Sequence, residues 1–275
     1  RFSEQALVAG VAVDGEGRSQ ACMGIAAGDA DGNGRLDLFL INFRNEANTL
    51  YLQQEALTFV DDTRRAGMYS ASFDMLGFGS QFLDAELDGR PDLVVINGHV
   101  GDLRHHGVPY HMRPQFFRNA GGGRFVELQG AAAGDFFQGE YLGRGLARLD
   151  WNRDGLPDFV AQQLEMPAVL VTNRTLRPGH FLTVKLTATK SARDAIGATV
   201  SVTVGGQTQI AQLIAGDGYM ASNQRQLFFG VGAATTIERL EVAWPGGGKS
   251  VFTNLDADRE LHIIEGHERP WLVPR

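Results

Sequence analysis

The 275 residues carry a formal charge of −7, with 32 Asp and Glu against 25 Lys and Arg, 35 Gly and one Cys. That length builds one large or two ordinary domains with a full-sized core, and no apolar run approaches the roughly 18 residues of a membrane span. The acidic balance argues against a nucleic-acid surface, the single Cys22 allows no intrachain disulfide, and Gly-marked turns between short apolar runs point to an all-β chain.

Both ends look cut. RFSEQALVAG (1–10) reads as the closing piece of a repeat whose beginning is missing. The final LVPR (272–275) equals the remnant of a cleaved thrombin site, so the tail 267–275 is expected to lack structure. A missing signal peptide therefore carries no information about localisation.

Three nine-residue stretches organise what lies between. Residues 29–37 read DADGNGRLD, 84–92 read DAELDGRPD and 150–158 read DWNRDGLPD. Oxygen-bearing side chains occupy positions 1, 3, 5 and 9: Asp29, Asp31, Asn33 and Asp37; Asp84, Glu86, Asp88 and Asp92; Asp150, Asn152, Asp154 and Asp158. Gly stands at position 6, and Arg35, Arg90 and Leu156 at position 7 complete the candidate ligand set. Hard oxygens at alternate positions around a Gly turn are what Ca²⁺ asks of a short loop, so about three Ca²⁺ sites are expected. The loops hold ten of the carboxylates, and three bound ions would bring the net charge to about −1. An EF-hand is excluded, because position 12 is Leu40, Val95 or Ala161 rather than Glu and the flanks read as strands, not helices. Asp and Gly also favour plain turns, but that reading does not account for three copies in one strand context.

The repeat extends both ways from each loop. MGIAAGD (23–29), FGSQFLD (78–84) and RGLARLD (144–150) align upstream with Gly24, Gly79 and Gly145 in register. Downstream come an aliphatic strand, a third strand (TLYLQ 49–53, QFFRN 115–119, VLVTN 169–173) and a fourth piece at 58–67 and 124–134. Four short strands per unit predict β-propeller blades at about 21–67, 76–134 and 142–175, with 1–10 as a fourth-strand remnant. Three blades cannot close a ring, since roughly four to eight are needed, so either more blades precede them or the open edges pair with another chain. The second repeat carries an 11-residue insertion within 97–114, which holds His99, His105, His106 and His111. Long loops on a rigid scaffold often carry function, and an imidazole cluster can take Zn²⁺ or Cu²⁺, though this spacing matches no tight ligand motif. From 178 to 266 the pattern alternates at period two and predicts a second, sandwich-like β domain.

The repeats resemble FG-GAP/VCBS repeats, most closely in FGSQFLDAELDGRPDLVVINGHV (78–100). RDAIGATVSV (193–202), GDGYMASNQRQLFFGVG (216–232) and LEVAWPGGGKS (240–250) resemble the ASPIC/UnbV domain of cartilage-acidic-protein-like proteins. The resemblance implies a calcium-binding propeller, secreted or periplasmic, followed by a small β domain. The chain departs from the pattern in having few repeats and no GAP triplet after Phe-Gly.

Other chemistry is thin. GGGKS (246–250) has Ala243 where a phosphate-cradling loop needs its leading Gly, and reads as a hairpin turn. GxSxG is absent, and Cys22 is expected in a buried strand, so no nucleophile stands out. The expected function is an extracytoplasmic Ca²⁺-stabilised module that binds protein or glycan on a propeller face and adheres, with no catalysis of its own. The alternative is an enzyme or accessory factor in enediyne-type polyketide biosynthesis that uses the histidine loop. A pure scaffold would be indifferent to loss of residues 97–114.

Overall fold

The computed structural model describes residues 2–275. Three antiparallel meanders follow one another. The first is β1 (Ile25–Gly28), β2 (Asp37–Leu40), β3 (Thr49–Gln53) and β4 (Phe59–Asp61); the second is β5 (Gly77–Leu83), β6 (Asp92–Asn97), β7 (Gln115–Gly121) and β8 (Arg124–Leu128). The third has three strands, β9 (Gly143–Leu149), β10 (Asp158–Gln163) and β11 (Val169–Val171). In each, the Asp-rich loop closes the first hairpin in the same register, with Gly28 opposite Asp37, Leu83 opposite Asp92 and Leu149 opposite Asp158.

The middle sheet explains why its second strand reads as an unbroken aliphatic run. Leu93 and Val95 face the first sheet in a core with Phe39, Leu50 and Phe117. Val94 and Ile96 face the third sheet in a core with Phe116, Leu146 and Phe159. A strand buried on both faces has no solvent side on which to alternate. Among the described residues no core cluster joins the first sheet to the third, so the sheets form an open series and not a closed ring. Their first strands adjoin, and the glycines in register sit at that approach. A Cβ on Gly24 would lie 2.1 Å from the Phe78 carbonyl oxygen, and one on Gly79 2.7 Å from Leu146.

The second unit is a sandwich of two four-stranded sheets. Its strands are β12 (His180–Thr187), β13 (Thr199–Val204), β14 (Gln207–Gln212), β15 (Leu227–Gly232), β16 (Thr236–Ala243), β17 (Lys249–Asp256), β18 (Arg259–Ile264) and β19 (Trp271–Leu272). The sheets run β15-β12-β18-β19 and β14-β13-β16-β17, and β12 and β18 are parallel. Alternate inward side chains, among them Leu182, Val184, Val200, Val202, Leu240, Val242 and Ile263, fill one core between them. The glycines of the GGGKS stretch form the turn between β16 and β17, closed by the Trp244 amide donating to Gly248 and the Gly247 amide donating to Trp244.

Three expectations are corrected. The tail is not structureless: β19 pairs with β18, Leu261 opposite Leu272 and His262 opposite Trp271, because the sandwich offers an open strand edge there. The described part of the 1–10 stretch, residues 2–10, holds no strand; Ala6–Ala9 form a single helical turn, α1, whose left-handed Gly10 comes up against the Phe59 carbonyl. Cys22 is exposed and precedes β1, and burial of its surroundings together with Glu46 still pushes its thiol up. No helix among the described residues is long and apolar enough to cross a membrane.

Candidate metal centre

Each loop folds around the carboxylates at positions 1 and 9, and the plan is the same three times. The position-9 carboxylate bridges two chain segments. Asp37 accepts from the amides of Ala30 (2.7 Å) and Gln53 (2.7 Å), Asp92 from Ala85 (3.0 Å) and Asn119 (2.8 Å), and Asp158 from Trp151 (3.1 Å) and Asn173 (2.7 Å). One oxygen therefore holds the loop's second residue and the other holds the third strand. The position-1 carboxylate accepts from the amides at positions 5 and 6: Asp29 from Asn33 and Gly34, Asp84 from Asp88 and Gly89, Asp150 from Asp154 and Gly155. Such a turn needs left-handed backbone, taken by Gly34, Gly89 and Gly155 at position 6 and by Gly32, Leu87 and Arg153 at position 4. For Leu87 and Arg153 that conformation costs about 1–2 kcal/mol each, which the amide–carboxylate bonds offset.

Two loops bring their carboxylates together. Asp29, Asp31 and Asp37 each offer an oxygen within 4.8 Å of the others, and so do Asp84, Glu86 and Asp92. The third loop has only two acids at these positions, Asp150 and Asp158. Its position 3 is Asn152, which donates to Asp154 (2.7 Å), and the Arg275 guanidinium lies 3.8 Å from Asp150. The position-7 side chains turn to other partners: Arg90 pairs with Asp88, and Arg35 lies 3.8 Å from Glu55. Their amides donate to position 5, as that of Leu156 does, so only their carbonyls remain as potential ligands.

These carboxyls are held far from their ordinary range. Burial pushes Asp37 and Asp84 up to about 7 and Asp158 to about 6, against the opposing pull of the backbone amides. Burial and the neighbouring Glu86 push Asp92 well above the carboxylate range, and burial raises Asp29 and Asp150. Partly desolvated carboxyls that penalise their own ionisation, on an oxygen-only donor set, suit a hard divalent cation, whose charge reverses that penalty.

The histidines do not gather. His99 is buried, with Nδ1 2.8 Å from the Gly101 carbonyl and its ring against Phe43. His105 and His106 lie on the exposed turn 104–106, and His111 lies 3.7 Å from Glu165.

The stretch 213–226 of the second unit reaches the first strand of every meander. Gly218 forms an antiparallel bridge with Ile25, Asn223 donates to Gln81 (2.7 Å) and accepts from the Arg148 amide (2.7 Å), and Gln224 accepts from the Asp150 amide (2.8 Å). Loops two and three sit against the sandwich as well. Gly179 and Gly232 donate to the Glu86 and Leu87 carbonyls, and Arg153 meets Glu260 at 2.8 Å. Residues 188–270 match the family described as ASPIC and UnbV. The match covers most of the sandwich and stops short of the three meanders. No curated protein matches the chain. The ASPIC/UnbV unit is thus the part that inserts 213–226 among the repeats, a contact that sequence reading missed. Its one signal was Arg148, a charge where the other copies carry Ala27 and Phe82.

Proposed function

We propose that the chain is a calcium-stabilised binding module. The three meanders are read as FG-GAP/VCBS-type blades of a larger or associating propeller, working outside the cytoplasm and presenting a face to a protein or glycan. The observation that carries this reading is the convergence of Asp29, Asp31 and Asp37, and again of Asp84, Glu86 and Asp92, on a loop plan that recurs three times. Extracellular calcium modules bind with Kd of about 10⁻⁴–10⁻³ M. At roughly millimolar Ca²⁺ that contributes about 0.4–1.4 kcal/mol per site, whereas cytosolic Ca²⁺ would leave such sites empty and their carboxyls opposed to folding. The enzyme alternative has less to rest on, because the loop histidines are spread between a buried ring, an exposed turn and a surface position 3.7 Å from Glu165.

Equilibrium dialysis and thermal melts of metal-stripped protein test the reading. The expected result is about three Ca²⁺ per chain, with a melting temperature that climbs and levels off near millimolar Ca²⁺. A chain that takes up no Ca²⁺ sinks the proposal, and a tighter response to Zn²⁺ that raises stability alone would move function to the histidine loop.

A further inference from the structure

A cavity of about 450 Å³ lies between the first two loops and the ASPIC/UnbV unit. That volume falls in the range of about 300–1,000 Å³ typical of small-molecule sites. Its walls come from both sides: the loops and their strands on one, β14 and β15 on the other. Exposed Arg90, Gln207 and Thr208 stand at the mouth, while Phe82 and Leu227 are buried.

The polar groups of this cavity are unequal in what they still need. The loop carboxylates of Asp29 and Asp84 are turned to their own amides. Asp217 accepts from the Gly218 amide and from Asn223 (3.2 Å). Arg148 is different. One terminal nitrogen donates to the Phe82 carbonyl (2.6 Å), the other has no hydrogen-bond partner among the described residues, and Nε is buried. It is the free terminal nitrogen that leaves the cavity wall short of an acceptor.

The charge of the walls narrows the class of ligand. Five carboxylates (Asp29, Asp31, Asp84, Asp88 and Asp217) face two guanidinium groups (Arg90 and Arg148), and Ca²⁺ in both loops would bring the wall close to charge balance, which suits a neutral ligand. A hydroxyl accepts from Arg148 and donates to Asp217 without bringing charge. Around it stand the amides of Gln207 and Gln209 and the ring of Phe228, whose centroid is 5.5 Å from the Arg148 guanidinium carbon. Amides, one acid–base pair and an aromatic ring around a half-open cavity are what a neutral pyranose requires.

We propose that this cavity binds a neutral sugar unit, with Arg148 and Asp217 sharing one hydroxyl and Phe228 offering its ring. The inference rests on the reading of the chain as a binding module, and names the ligand class for it. The unit is either a free monosaccharide or the end of a glycan.

Ligand-observed NMR and calorimetry on the full chain, with Ca²⁺ present and after stripping, test it. The probes are glucose, galactose, mannose, N-acetylglucosamine and their β-linked oligosaccharides, with glucuronate as the charged counterpart. Saturable binding of at least one neutral probe, with glucuronate weaker, is expected. Arg148→Gln should weaken it about ten- to hundredfold. Thr208→Trp, which narrows the mouth without touching the floor, should abolish it while leaving the melting temperature in place, and so guards against a misfolded Arg148 variant. Binding of oligosaccharides alone assigns the site to a glycan end. No binding by any neutral probe, or binding unchanged in both variants, overturns the inference while a Ca²⁺-dependent melt still stands. Conversion of a bound probe over hours would keep the site and overturn the non-catalytic module instead.

Discussion

Removing metal and varying pH should expose the loop carboxyls directly. A carboxyl whose folded pKa lies above its unfolded value keeps its proton in the folded chain where the unfolded chain has lost it. The folded chain then binds more protons, so stability falls as pH rises from about 4 towards about 7. Asp37 and Asp84 move from 3.8 to about 7, and Asp158 from 3.8 to about 6. A displacement of that size opposes folding at pH 7 by up to ~4 kcal/mol for one carboxyl. Water at the loop rims screens part of it, and even ~1–2 kcal/mol per loop is a large share of a total stability of roughly 5–15 kcal/mol. At roughly 2–4 °C per kcal/mol, the metal-stripped chain should lose at least about 5 °C of melting temperature between pH 4 and pH 7. Excess Ca²⁺ should reverse the slope, because its ligands must be ionised. Scanning calorimetry of stripped and Ca²⁺-loaded protein across that range is the assay. A stripped chain whose melting temperature is flat or rises with pH would refute the account of the loops as buried carboxyl clusters awaiting a cation.

Two further substitutions probe how the loops are tied in. Asn119 donates to the carbonyls of Ala30 in the first loop (2.9 Å) and Pro91 in the second (3.0 Å); Asn119→Ala should cost about 1–3 kcal/mol and weaken the Ca²⁺ response of both loops, seen as a lower denaturation midpoint and a shallower Ca²⁺ titration. A Cβ on Gly230 would lie 2.1 Å from an Asp84 carboxylate oxygen and 2.5 Å from the Leu87 backbone; Gly230→Ala should cost about 1–3 kcal/mol and remove about one bound Ca²⁺ by dialysis, leaving the first loop's ion in place.

The strand-level plan was legible because each signal was local. The period-two runs, the Gly at position 6 and the loop carboxylates lie within a few residues of one another, and all three first hairpins formed where the repeat put them. What was not legible depends on neighbours far along the chain. Equivalent third strands end in Gln53, Asn119 and Asn173, and the sequence gives no reason for the difference. In space Asn119 reaches the second residue of the preceding loop, Ala30, and Asn173 reaches Ala85 in the same way (3.0 Å). Among the described sheets none precedes the first, and Gln53 has no such loop to reach. The different surroundings of the third loop have the same character. Asn152 in place of an acid was visible, but the approach of Arg275 to Asp150 was not. The exposure of Cys22 and the strand at Trp271–Leu272 were misread because burial and edge pairing are properties of the assembled sheets.

The same neighbour logic explains why the ASPIC/UnbV unit is more than an appendage. Gly24 and Gly79 are pressed against the first strand of the next sheet, where a side chain would not fit. Gly145, third in that register, meets no further sheet: the nearest atoms to a Cβ there are in Gln162 and, at 3.8 Å, the Tyr219 carbonyl oxygen. The place where another blade would approach is met by the 213–226 stretch of the sandwich. That stretch also bonds the first strands of the other two meanders, so its ordering depends on all three sheets being present, and theirs on it. Loops two and three lean on the sandwich through Gly179, Gly232 and Arg153. A cation held in the second loop would stiffen a wall shared by the metal site, the interdomain contact and the cavity floor beside Arg148, and would couple ion binding to ligand binding without any change of fold.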